Sequence, residues 1–97
     1  MIYLVVCELS KGDATKYEEV AKAIHGKFDN VVQAMSHVWF VDASGGERSV
    51  ADRVAPLLTP EDQLFICEIT SEHYGFVRPE ASKWLLDHSI YLQKHKG

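Results

Sequence analysis

Apolar residues recur along this chain with two different periods, and the places where the period changes divide it into elements. From Ile2 to Leu9, apolar side chains fall on both faces of an extended segment: Ile2, Leu4 and Val6 on one, Tyr3, Val5, Cys7 and Leu9 on the other. A strand of that kind needs cover on both sides. After the turn Ser10-Lys11-Gly12, Asp13 is a suitable N-cap, and Tyr17, Val20, Ala21, Ile24 and Phe28 follow at the spacing of one helical stripe. Gly26 is positioned to end this helix near His25.

The extended stretch from Asn30 to Ala43 is too long for one strand, and Met35-Ser36-His37 offers a tight turn that splits it. Its second half, Val38-Trp39-Phe40-Val41, is β-branched and aromatic throughout, which suits a central position. Ser44-Gly45-Gly46 is an exit loop. A helix from Glu47 to Leu57 buries Val50, Val54 and Leu57, and Pro56 shortens or distorts its last turn. After the turn Thr59-Pro60-Glu61-Asp62, Gln63 to Thr70 is a strand, again apolar on both faces. Pro79 opens a final helix with Ala81, Trp84, Leu85 and His88 on one side.

Strand-helix-strand-strand-helix-strand with short connections is the split βαβ pattern. The expected fold is therefore α+β and ferredoxin-like (βαββαβ): a four-stranded antiparallel sheet with two helices on one face, plus a C-terminal helix. All 97 residues belong to one domain. The apolar surplus on the second sheet face calls for a cover, either the C-terminal helix or a second copy of the chain, and a homodimer is the expectation.

Composition narrows the function. Hydrophobic residues at 46% and charged residues at 25% are ordinary globular values, so the chain is neither disordered nor fibrous. The formal charge of −4 argues against a broadly basic nucleic-acid surface. No apolar run approaches the roughly 18 residues of a membrane span. The opening Met1-Ile2-Tyr3-Leu4 lacks the pattern of a signal peptide, which places the protein in the cytoplasm without a membrane partner. Cys7 and Cys67 both lie within strands, and no disulfide is expected. The five histidines contain no i, i+4 pair and the cysteines no C-x-x-C, so no structural zinc site is predicted. His37, at the hairpin, is a lone titratable group beside the central strand. The aromatic motif of an RNA-recognition sheet is missing, so Tyr3, Trp39 and Phe40 read as packing residues.

Several short motifs carry a resemblance. Val5-Val6-Cys7-Glu8-Leu9, then an amphipathic helix, then Val31-Val32-Gln33 and Ser36 to Val41, resemble the small CRISPR-associated adaptation protein that partners the spacer integrase. Pro60 to Leu64 and the Gly75 to Leu85 step into a Trp-containing helix are similar to its CRISPR-independent, SinR-like and VapD-related relatives. The resemblance spans nearly the whole chain. It implies the ferredoxin-like fold and a dimer in which a carboxylate ending the first strand of each copy holds a divalent metal for phosphodiester cleavage. The matching position here is Glu8, which the resemblance marks as catalytic residue and metal ligand.

Glu8 is also conspicuous by itself, a carboxylate ending an apolar strand, either bound to a cation, paired with a lysine such as Lys11, or solvated. Asp42 and Glu68 are the carboxylates that would join it in an acidic cluster for Mg²⁺ or Mn²⁺, the alternative being three separate surface groups. The family position carries aspartate. Glutamate places the carboxylate about 1.5 Å further out, while Mg²⁺ asks for near-octahedral geometry. With the acidic balance, this ranks a homodimeric, non-catalytic interaction or regulatory module first. The alternative is a divalent-metal-dependent endonuclease, acting on RNA or DNA, with Glu8 at the dimer interface. Nucleic acid and an unidentified protein both stay open as further partners.

Overall fold

The computed structural model describes residues 1–88. The elements are β1 (Ile2–Glu8), α1 (Ala14–Lys27), β2 (Val31–Met35), β3 (Val38–Asp42), α2 (Gly46–Val54), β4 (Gln63–Ile69) and α3 (Pro79–His88). The strands form one antiparallel sheet in the order β2-β3-β1-β4, the ferredoxin-like arrangement that the pattern of periods predicts.

Alternation along β1 feeds two separate layers. Tyr3, Val5, Cys7 and Leu9 point into the main core with Trp39 and Val41 of β3, against Val20 and Ile24 of α1 and Val50 and Val54 of α2. Trp39 is fully buried there, and its Nε1 has no hydrogen-bond partner among the described residues. The opposite face carries a smaller cluster in which Ala81, Trp84 and Leu85 of α3 pack over Ala34, Phe40, Val32 and Val38. The C-terminal helix thus covers the second face over β2 and β3. Its described residues, Pro79–His88, do not pack on Val6, Phe65 or Cys67 of the β1–β4 half, where Phe65 is 63% exposed.

The helix ends follow from local chemistry, with one correction. Asp13 caps α1 as expected, its Oδ1 accepting the Lys16 N–H at 2.8 Å. Gly26, however, does not end the helix. It stays helical, and the helix stops where Phe28 turns extended (φ −132°, ψ 140°) to bury its ring in the main core. Burial of an aromatic side chain decides this end rather than a left-handed glycine. Pro56 acts as anticipated: α2 closes at Val54 and Ala55–Leu57 tighten into a 3₁₀ turn. No helix among the described residues is long and apolar enough to cross a membrane.

The two sheet edges differ. On β2 the register slips between Gln33 and Met35, and the Ala34 carbonyl accepts the Arg78 N–H at 3.1 Å as the chain enters α3. On β4 the seven residues QLFICEI contain no proline, lysine or arginine, and no element among the described residues pairs with the outer side.

Candidate functional site

The end of β1 is held by three sets of contacts. The Cys7 N–H donates to the His37 carbonyl at 3.1 Å, extending the β1–β3 ladder to the hairpin turn. The Leu9 N–H donates to Tyr17 Oη at 3.0 Å, and the Tyr17 ring stacks on His37 with centroids 3.9 Å apart. Gly12 makes room for this arrangement, since a Cβ there would stand 2.6 Å from the Tyr17 ring and 2.7 Å from Leu9 Cβ. The turn is then tied to β4 by Asp62, whose Oδ1 accepts from the Ser10 N–H at 2.9 Å while Oδ2 accepts from the Thr59 N–H at 2.8 Å. Those backbone donors hold the Asp62 carboxyl below its ordinary range, because they favour the charged form.

On this scaffold Glu8 stands opposite Gln63 and Val6 opposite Phe65, all on the face away from α1 and α2. Together with Leu64 they line an open hollow of about 140 Å³. Glu8 is exposed and makes no hydrogen bond or ion pair with any described residue. The pairing with Lys11 considered from sequence does not form. Lys11 instead lines a second hollow of about 200 Å³ with Lys16, Thr59 and Asp62, on the far side of the Ser10 turn.

Asp42 lies elsewhere. Because β1 and β3 run antiparallel, Asp42 is opposite Ile2, six residues along β1 from Glu8. At the rise of a strand this is about 20 Å. Its Oδ1 accepts from the Met1 amino group at 3.3 Å. Glu68 is opposite Tyr3 and alternates with Leu64 and Ile66, on the helical face of the sheet. One chain therefore keeps the three carboxylates apart, and no group of three or more His, Cys, Asp or Glu among the described residues is placed to hold a metal ion.

Chemistry elsewhere in the sheet is quiet. Burial pushes the Cys7 thiol up to about 11, with the Asp62 carboxylate adding to the shift, so its thiolate is scarce at neutral pH. Tyr3 is likewise raised, first by burial and then by the Glu47 and Glu68 carboxylates. The four strands contain no lysine or arginine. Two residues of this region were not singled out by sequence reasoning. Phe65 looked like one more apolar residue of a two-sided strand, and Asp62 like an ordinary turn residue; the Thr-x-x-Asp spacing was the available signal for its anchoring role. No protein-family model matches the chain, and no curated protein matches it.

Proposed function

We propose that this chain is a homodimeric, non-catalytic interaction module, resembling the CRISPR-associated adaptation-protein superfamily, whose copies pair through the sheet at β4. One observation carries the reading: β4 presents a seven-residue outer edge without lysine or proline, beside Phe65 at 63% exposure. Unpaired edges of this kind are templates for another strand, and proteins that avoid pairing blunt them with charge, proline or a bulge. A twofold axis through Ile66 sets Phe65 beside the partner's Cys67 and Leu64 beside the partner's Glu68. Each β4 then gains a backbone ladder, and its single charge meets no like charge. The separation of Glu8, Asp42 and Glu68 within the chain supports the non-catalytic side of the reading.

Size-exclusion chromatography with light scattering at micromolar concentration is expected to give twice the 11.0 kDa chain mass. Phe65→Lys, which sets a charge on that edge, is expected to give the single-chain mass with an unchanged far-ultraviolet spectrum. A wild-type monomer, or a Phe65→Lys dimer, would refute the β4 interface. Cleavage of labelled RNA or DNA in Mg²⁺ or Mn²⁺ that disappears in Glu8→Gln would overturn the non-catalytic assignment.

A further inference from the structure

We propose that the corner formed by Glu8, Val6, Gln63 and Phe65 receives an arginine side chain from a partner protein segment. The inference rests on the reading of the chain as an interaction module and names the chemistry of what it binds. Four observations lead to it.

The first is charge. Glu8 is an exposed carboxylate with no cation among the described residues, and the chain as a whole carries −4. Such a field draws in cationic segments and repels anionic ones. The second is the ring. Phe65, 63% exposed, lies diagonal to Glu8 across the β1–β4 pair. Diagonal side chains on adjacent strands are rooted about 7–8 Å apart. That interval suits a flat guanidinium, which stacks on an aromatic face and presents its edge to a carboxylate. An ammonium group offers neither the plane nor the bidentate edge.

The third is the surrounding pair. Gln63, exposed and opposite Glu8, supplies an amide oxygen for a further guanidinium N–H, and Val6 provides an apolar floor for the methylene stem. The fourth concerns the source. The strands of this chain carry no lysine or arginine, so the paired strands of a second copy joined at β4 set no cation beside Glu8. An arginine from a different protein supplies the cation, and each copy of a dimer offers one corner to it.

The test uses the full chain, labelled with ¹⁵N, and two capped peptides as probes: Ac-Leu-Arg-Leu-amide and its citrulline counterpart, which keeps the shape and loses the charge. The arginine peptide is expected to shift amides at 6–8 and 63–65, and the citrulline peptide to bind at least about fivefold more weakly. Glu8→Gln is expected to weaken the arginine peptide about threefold to tenfold, and Phe65→Leu about twofold to fivefold. Equal binding of the two peptides, wild-type affinity in both variants, or no binding up to about 10 mM would overturn the proposal. Light scattering on the same samples separates it from the dimer reading. Glu8→Gln is expected to bind the arginine peptide more weakly while retaining the wild-type mass, and a monomeric wild type that still binds arginine at this corner refutes the β4 interface alone.

Discussion

The two faces of this sheet are built from the same strands and are finished differently. Against α1 and α2, eleven buried residues form a continuous layer with Trp39, Val5 and Val41 at its centre. On the other side the described residues of α3 pack over β2 and β3 and not over Val6, Phe65 and Cys67 of the β1–β4 half. Both faces of β1 are apolar, yet the described residues fully enclose only one. Apolar alternation thus reports that a face needs cover; it does not report how far one short helix extends across it.

The sharpest way to break this comparison uses the two cysteines, one on each face. Cys67 is half-buried on the open side, and Cys7 is fully buried with its thiol raised to about 11. A colorimetric disulfide reagent at pH 8 is expected to label Cys67 in the native protein. Cys7 should label only through unfolding, at least about a thousandfold more slowly for a domain of ordinary stability. Comparable rates would mean that the helical face opens as readily as the other. Next in size are paired truncations. Trp39→Ala is expected to cost about 3–5 kcal/mol in urea unfolding, towards the lower figure because it also removes the orphaned Nε1. Phe65→Ala at a concentration where the chain is monomeric should cost less than about 1 kcal/mol. Similar losses at both positions would erase the difference between the faces.

The smallest effect concerns the anchor below the open corner. The folded state holds the Asp62 carboxyl below its ordinary 3.8 through donors from Thr59 and Ser10. A depressed folded value contributes stability above the unfolded pKa and loses it as pH falls through the folded one. Asp62→Asn is therefore expected to lower the melting temperature at pH 7, and the gap to wild type should close on acidification below pH 3.8. A gap that stays constant with pH would show that packing, not the carboxylate's hydrogen bonds, carries the contribution.

Much of the fold was legible because its signals are local. Two-sided apolar strands, the stripe from Tyr17 to Phe28, the break at Met35-Ser36-His37, and prolines at 56 and 79 each act within a few residues, and each element forms where its pattern lies. The end of α1 was misread because Phe28 answers to the core, which a capping rule at Gly26 does not see. The site was legible in part. Glu8 was marked out as a lone carboxylate on an apolar strand, and β3 was correctly placed beside β1. Within one chain Glu8 and Asp42 lie apart, because an antiparallel neighbour brings its last residue to the first strand's start. The exposure of Phe65 depends on how α3 lies across the sheet, and no pattern within β4 encodes that.

The hydrogen bond from Arg78 to the Ala34 carbonyl has a further consequence, one of counting. A sheet with two free edges can add strands at both and grow without limit, as fibrils do. Here β2 is interrupted by its register slip and occupied at Ala34, so the described sheet keeps one open side. In the pairing proposed above its valence is one: a strand added at β4 would end the series, and assembly would stop at two copies.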